Sequence, residues 1–509
     1  MKDFNNFISA NKLTIIGHLV FVVLLIFAAI YAKERVFITD PSGQLSQMIC
    51  TGKNFISFGR VSMTIAHLLP LILIWSNAPL HCVVLGYSLS FILLGYVIYI
   101  IAVYVLKNKA AGIVIASAVL LEYHIFFHAV AETVQMIYFC TLLIAWIKYT
   151  PKTTRMSNTL LYYIGLIAII FLCVNIHPSA IFPIAFIICY DFIDRGGKIN
   201  KKLIVSSIAF VGFEILKSFT FTDKYETKFF DFDRIIASVS SFFNIQHFQK
   251  FIDYTFFQIP LLYFVPMLLF ILCVIFYAKE RQWIKLCFII CYNIAFMLVN
   301  VLIYSTDGYY CFGTFERMFM PLIIFTMLPF ANDVLPCLTS RQENMFAGIW
   351  LLFIVFSFIG INHVSEVYTK RLQEVEKVIK VAHAENKHKL LIKHTPTTEK
   401  LLSVWNHDDV PYVTALLSAL DGAHSTVTMY FDETIYHEKP CYEKKYNGSI
   451  SYMYNPNSLD DIIITDMGEK IRGINSNELN PKYFVIPEEP YCELKYQNGE
   501  YFIDNSSSQ

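Results

Sequence analysis

Charge is scarce in this sequence. Asp, Glu, Lys and Arg make up 16% of its 509 residues, well below the roughly 25% of an ordinary soluble domain, while 56% of residues are hydrophobic and 16% aromatic. A soluble fold cannot hide that much apolar surface, and several runs are long enough to cross a bilayer, so the composition marks a polytopic membrane protein. No Gly-rich phosphate cradle stands out, which leaves nucleotide binding without support. No internal repeat is visible either, and the polar groups gather at one boundary, whereas a transporter leads one to expect polar or Gly/Pro-interrupted helices at mid-membrane. Nor does a small-residue cleavage pattern follow the first apolar run: MKDFNNFISANK leads into a stretch long enough to span, which reads as a retained signal anchor. Nothing in the chain points to a nucleic-acid partner.

The formal net charge of zero hides two unlike parts. Residues 1–362 carry 25 Lys and Arg against 18 Asp and Glu, and residues 363–509 carry 15 against 22. We read the first part as an α-helical transmembrane catalytic domain and the second as a small extracytoplasmic mixed α/β domain. Apolar runs mark spans at Leu13–Tyr31, Cys82–Leu106, Ala111–Tyr123, Val134–Ile147, Leu160–Ile176, Ile181–Ile193, Leu203–Leu216, Ile259–Tyr277, Ile284–Tyr304, Met318–Leu335 and Phe346–Ile361. A twelfth run, Val61–Ser76, is short and holds His67 and Pro70.

Loop charge decides how that run is counted. If it does not cross, the basic connections at Lys107 and Lys109, Lys148–Arg155, Asp194–Lys202, Ala278–Lys285 and Ser340–Asn344 all fall on the cytoplasmic side with the N-terminus, as the positive-inside rule requires. That choice predicts about eleven spans, with the N-terminus inside and the C-terminal domain outside. It also gathers the chemistry-bearing residues on the outer face: Asp40 in the first loop, EYHIFFHAVAE at 122–132, NIHPSA at 175–180, the stretch 217–258, and STDGYYCFGTFER at 305–317.

Ionisable groups near membrane depth are costly, so each is a functional candidate, and each also has an ordinary structural reading. Asp40, in TDPSG, is either a catalytic acid or a turn residue. His124, His128 and Glu132 recur every four residues, which on a helix makes one stripe: a metal site, a phosphate-binding wall or a row of satisfied interfacial groups. His177 before Pro178 is either a ligand-binding group or the boundary of a helix. Arg317 either reaches outward or pairs with its neighbour Glu316. His18, His67 and Glu214 lie inside apolar runs and are left as structural or unassigned.

Taken together, Asp40 in the first outer loop, the embedded run Val61–Ser76, the basic turn KNKAAG at 107–112, EYHIFFHAVAETV at 122–134, NIHPSAIFPIAF at 175–186 and FERMFMPLIIFTMLP at 315–329 resemble the GT-C membrane glycosyltransferases. That superfamily includes protein mannosyltransferases and lipid A aminoarabinose transferases. The resemblance spans roughly the first 360 residues. The first loop has no aspartate pair and the chain no WWD-like motif, which disfavours the oligosaccharyltransferase branch. The resemblance implies an inverting transfer from a polyprenyl-phosphate-sugar donor to an acceptor hydroxyl on a glycan, lipid or protein at the outer face. It implies Asp40 as general base, with Arg317, His177 and His128 on the donor phosphate. Glu122, His124 and Glu132 are left to orient the acceptor or hold a divalent cation, without a certain cofactor. A cell-envelope polysaccharide polymerase or ligase, or a non-enzymatic lipid or sugar transporter, are the alternative readings.

The stretch 217–258, ending FFNIQHFQKFIDYTFFQ, reads as an interfacial amphipathic helix, a packed cover over the site, or both. Beyond the last span, 366–388 reads as a solvated helix, VPYVTALLSALDGAH as a short helix, and TVTMYFDE, SISYMY, DIIITD, KYFVIP and GEYFID as short strands. The acids Asp408, Asp409, Asp460 and Asp461 read as solvated faces. Cys441–Cys492 and Cys50–Cys311 are candidate disulfides that spacing alone does not settle. Asn447 is a glycosylation acceptor only in a host that modifies outward-facing Asn.

Overall fold

The structure is a computed structural model that describes residues 2–56, 60–129, 131–150, 156–220, 232–258, 263–303, 312–403, 410–432, 460–464, 470–474, 479–487, 489 and 491–504. It is a helical membrane protein with a small C-terminal sheet. Five helical stretches are long and apolar enough to cross a bilayer: Asn11–Ile30, Leu80–Val105, Trp283–Ile303, Glu316–Cys337 and Ser340–Ala384. The remaining expected spans form shorter helices that pack among them.

In chain order the transmembrane part runs α1 (Lys2–Ile30), α2 (Ala32–Val36), α3 (Thr39–Thr51), α4 (Thr64–Trp75), α5 (Leu80–Ile100, continued by a π-turn to Val105), α6 (Lys109–Ala118), α7 (Glu132–Lys148), α8 (Met156–Val174), α9 (Ile181–Asp194), α10 (Lys201–Thr220), α11 (Phe232–Val239), α12 (Gln246–Asp253), α13 (Phe264–Lys279), α14 (Trp283–Ile303), α15 (Phe312–Phe319) and α16 (Leu322–Pro329). Helix α1 shows why these segments sit in lipid. Val20, Phe21, Leu24 and Ala28 are buried, while Ile15, Leu19, Val22, Ile26 and Ile30 form an exposed apolar stripe at helical spacing. A helix apolar on both its buried and its exposed face satisfies a bilayer, not water.

The run Val61–Ser76 begins and ends against one short segment of the chain. Helix α4 has 12 residues, about 18 Å of rise against a hydrocarbon core of roughly 30 Å. Its start is tied to Asn54, which donates to Thr64 Oγ1 at 2.7 Å and meets His67 Nδ1 at 2.9 Å. Its last residue, Trp75, donates to the carbonyl of Gly52 at 2.8 Å. Both ends of α4 therefore hang from one short segment, residues 52–54. Helix α5 then runs back along α1, with Ser88 Oγ on the Ala28 carbonyl at 2.7 Å and Tyr99 Oη on the Thr14 carbonyl at 2.7 Å.

One end of the bundle is closed by an ion-pair network. Lys285 bridges Asp194 and Asp333 at 2.7 Å each, Lys148 reaches Asp194 at 2.5 Å, and Arg195 holds Asp191 at 2.7 Å. Tyr190 and Tyr277 donate to Asp333 at 2.8 and 2.6 Å. The basic connections thus do more than signal topology: they lock the ends of α7, α9 and α14 to the chain after α16.

The last span and the solvated helix after it are one continuous element, α17 (Ser340–Ala384), of 45 residues or about 68 Å. Thr339 and Gln342 form a capping box at its start. The C-terminal unit follows as β1 (Lys389–Lys393), α18 (Pro396–Leu402), α19 (Val410–Ser418), β2 (Thr428–Asp432), β3 (Asp460–Ile464), β4 (Lys470–Ile474), β5 (Cys492–Gln497) and β6 (Glu500–Asp504). The four-stranded sheet has the order β2-β1-β5-β6; β1 is parallel to β2 and β5, and β5 and β6 form an antiparallel hairpin. That hairpin turns at Asn498-Gly499, both at positive φ, 53° and 89°, which suits the right-handed twist of the strands. Strands β3 and β4 pair separately. KYFVIP is not a strand: it starts in a turn whose Tyr483 hydroxyl donates to the Ala78 carbonyl at 2.8 Å, so the segment serves as a strut to the membrane domain. SISYMY, Asp408, Asp409, Asn447, the TDKYE stretch, and Cys311 and Cys441 of the two suggested disulfides lie outside the described residues.

Cysteine labelling tests the return of α4. In a background lacking the exposed native cysteines, Lys53→Cys and Ser76→Cys are expected to react with an impermeant maleimide from the same side of the membrane, and Lys109→Cys from the other. Opposite sidedness for positions 53 and 76 would mean that α4 crosses.

Candidate functional site

The site is built where α1 ends. Helix α2 buries Arg35, whose guanidinium donates to Ser88 Oγ at 2.9 Å, to the Ser88 carbonyl at 3.2 Å and to the Phe126 carbonyl, and lies 4.1 Å from the Phe126 ring centre. One charged side chain thus ties α2 to α5 and to the connection 122–131. Ile38 is extended, and α3 starts at once, with Asp40 in its first turn followed by Pro41. Proline suits that position because its missing N–H has no helical partner there, and the unsatisfied N–H groups of a first turn favour a carboxylate. TDPSG is therefore the start of a helix and not a surface turn. Gly52, at φ 63°, stops α3 in the left-handed conformation.

The carboxylate of Asp40 sits 3.5 Å from His128 Nε2, and 27% of its side chain stays exposed. Burial opposes its ionisation, but the His128 contact and the charges of Arg317 and Arg60 outweigh it and hold the carboxyl below its ordinary range. Asp40 is thus a charged, reachable carboxylate at neutral pH. Beside it, Arg60 Nη1 meets Glu132 Oε1 at 2.9 Å, both side chains being at most 10% exposed. Tyr87 of α5 lies in the field of both Asp40 and Glu132 and donates to Gln44 Oε1 at 3.4 Å. His177 caps the turn Pro178–Ala180: its Nδ1 accepts from the Ser179 N–H at 3.2 Å and sits 2.7 Å from Ser179 Oγ. Burial, then the nearby charges of Arg60, Arg317 and Lys217, hold His177 neutral, well below its ordinary range.

The connection 122–131 does not form the helix that its spacing suggests. It contains a single 3₁₀ turn, Ile125–Phe127, because Glu316, itself fully buried, accepts the backbone N–H groups of Tyr123, His124 and Ile125 at 3.1, 3.1 and 2.8 Å. His124, His128 and Glu132 consequently leave the common stripe. His128 faces Asp40 and Glu132 faces Arg60, whereas His124 Nδ1 meets Tyr368 Oη of α17 at 3.2 Å, beside His363. Burial first, and then His363, push His124 down to about 3. Glu122 is buried against Arg35 and Glu316, away from Asp40. Among the described residues no three His, Cys, Asp or Glu side chains gather in a metal-holding group. The carboxylate of Glu316 is spent on backbone, so its expected pairing with Arg317 is not what holds it.

Sequence reasoning thus named Asp40, His128, Glu132, His177 and Arg317, which the fold brings together, and Glu122 and His124, which it places elsewhere. It passed over Arg60, Lys217, Tyr87 and Arg35. Arg60 carried one signal, a cation directly before an apolar run; Tyr87 carried none inside LGYSLSF.

The C-terminal unit grips the helix that carries Asp40. Arg371 of α17, 5% exposed, donates to the Phe37 carbonyl and to the Leu402 carbonyl, the latter at 3.1 Å. Asn480 donates to the Ile49 carbonyl at 3.1 Å, near the other end of α3. In the described part of 217–258, Ile236, Val239 and Phe243 are exposed, while Phe251 of α12 packs at a tilt against Phe319 of α15, ring centres 4.7 Å apart, two residues beyond Arg317.

The Arg60–Glu132 pair gives a stability test. Glu132→Leu removes the carboxylate that the buried Arg60 Nη1 meets and is expected to lower unfolding stability by about 3 kcal/mol, and Arg60→Met in the same chain to recover part of the loss. Thermal unfolding of the single and double variants in detergent reads both effects. Comparison with protein-family models, with curated proteins and with solved structures returns no match, so the functional reading rests on this geometry.

Proposed function

We propose that this chain is an integral membrane glycosyltransferase of the GT-C type, moving a sugar from a polyprenyl-phosphate-linked donor to an acceptor hydroxyl at the extracytoplasmic face. One observation carries the reading: an ionised, partly open Asp40 beside His128, within the field of Arg60 and Arg317, at the end of an apolar helix bundle. Asp40 takes the proton of the acceptor hydroxyl as its oxygen attacks the anomeric carbon. The bond from that carbon to the phosphate oxygen breaks, and its electron pair leaves on the phosphate. A single displacement of this kind inverts the anomeric configuration.

The leaving phosphate needs donors aimed at it before the bond breaks. Arg317 is suited to that task because guanidinium presents a fixed fork to oxyanions, and Lys217 and Arg60 supply further positive charge around His177. The exposed apolar stripes beside the site let an isoprenoid tail stay in hydrocarbon while its head group reaches the polar end. The basic connections at the opposite end support a cytoplasmic assignment for that end and an outer assignment for the Asp40 end.

Two measurements test the reading. Asp40→Asn removes the base while preserving shape, and is expected to abolish transfer from an undecaprenyl-phosphate-sugar donor in proteoliposomes, with expression and unfolding temperature intact. Full activity in that variant would overturn the assignment. The pH profile follows from the lowered Asp40 pKa: the base form persists below the ordinary carboxylate range, so the acid limb of activity should fall only beneath that range. An acid limb centred at pH 6 or above would assign the proton transfer to another group.

A further inference from the structure

Several buried side chains on the elements that carry Asp40, Arg60 and Glu132 are polar but neutral, and part of them is unsatisfied. Gln135, which is fully buried, makes no hydrogen bond to any described residue through either its amide nitrogen or its amide oxygen. The same holds for Nε2 of the fully buried His67 and for Oγ of Ser62, 1% exposed. A buried amide, imidazole or hydroxyl without a partner is destabilising, so several in one place point to a group that satisfies them.

These side chains share a location. Gln44 stands four residues after Asp40, on the same face of α3, and accepts from Tyr87 at 3.4 Å. Tyr87 lies in the field of both Asp40 and Glu132, and the ring of His67 stacks on it, centroids 5.9 Å apart and planes at 17°. Gln135 stands three residues after Glu132 on α7 and three before Tyr138, whose ring lies against Gly95 of α5, so this stripe of α7 faces the helix that carries Tyr87. Ser62 follows Arg60 by two residues.

We infer that Gln44, Ser62, His67, Tyr87 and Gln135 form a subsite for the ring of an uncharged sugar, next to the carboxylate of Asp40. The chemistry selects the ligand. Amides, a hydroxyl, a phenol and an imidazole offer both donors and acceptors without net charge, which matches a polyhydroxylated neutral ring and not a phosphate or a carboxylated sugar. Arg60 and Glu132, the charged groups nearest this lining along the chain, pair with each other at 2.9 Å, which leaves neutral groups to meet a ligand. The inference rests on the glycosyltransferase reading and adds to it the class of sugar and the residues that hold it.

The test uses the full chain in lipid nanodiscs and reads binding, not transfer. Octyl β-glucoside, octyl β-galactoside and octyl β-mannoside serve as probes, and an octyl oligoethylene glycol ether of the same chain length as the control. At least one glycoside is expected to raise the unfolding temperature saturably above the effect of the ether. Gln135→Leu is expected to bind that glycoside about tenfold more weakly, the loss of one hydrogen-bonding group. Without ligand the same variant should unfold at an equal or higher temperature than the wild type, because it removes an unsatisfied amide. A merely structural Gln135 would do the reverse and lower it. Equal effects of glycosides and ether, unchanged affinity in Gln135→Leu, or a lower unfolding temperature in that variant would each overturn the subsite. Asp40→Asn keeps the neutral lining and should still bind the glycoside, so saturable binding together with full transfer in Asp40→Asn would sink the catalytic assignment and leave the sugar subsite standing.

Discussion

The arrangement of the site depends on how Glu316 is used. A buried carboxylate needs partners, and here the partners are three consecutive peptide N–H groups, of Tyr123, His124 and Ile125. Those N–H groups would otherwise bond within a helix. Capturing them stops helix formation after α6 and leaves 122–131 as an irregular connection. His128 is then placed beside Asp40, and Glu132 becomes the first residue of α7, facing Arg60. The next residue after Glu316 is Arg317, so the contact that shapes the connection also fixes where the cation begins.

The second constraint comes from outside the bundle. Helix α3 is held near its start by Arg371 on the Phe37 carbonyl and near its end by Asn480 on the Ile49 carbonyl, both contributed by the chain beyond residue 362. Each bond alone is worth about a kilocalorie or two. Acting at the two ends of one short helix, they restrict its rotation, and rotation is what would swing Asp40 away from His128. The chain beyond residue 362 therefore braces the helix that carries Asp40. Its KYFVIP segment, expected to be a strand, fits this description because its Tyr483 and Lys482 donate to the carbonyls of Ala78 and Asn77 at the start of α5.

Much of this was legible from the chain because apolar length and loop charge act locally. The five long helical stretches, the turning back of Val61–Ser76 and the grouping of Asp40, His177 and Arg317 at one end all follow from those two signals. What could not be read depends on contacts between residues far apart in sequence. The four-residue spacing of His124, His128 and Glu132 suggested a stripe, and only a carboxylate nearly two hundred residues away prevents it. Glu122 looked equivalent to Glu132, yet it lies in the field of Arg35 and Glu316, while Glu132 pairs with Arg60. Strand β1, KLLIK, has no alternation distinctive enough to announce itself, and it becomes central to the sheet only through β2 and β5. Arg60 and Tyr87 were hidden for the same reason: their partners lie on other helices.

The return of α4 links these pieces. Because residues 61–76 leave and re-enter at one end, the finish of α1 and the start of α5 meet there, held by Ser88 on the Ala28 carbonyl. Every later crossing inherits that parity. Had α4 crossed, the connection bearing Asp40 and the connections bearing His128, His177 and Arg317 would lie at opposite ends, and no rotation of side chains could unite them. The same parity sends Lys148, Lys285, Asp194 and Asp333 to the far end, where they neutralise one another. A twelve-residue helix thus divides the polar residues of the bundle into a self-paired end that fastens the helices and an end where Asp40 meets His128 in the field of Arg60 and Arg317.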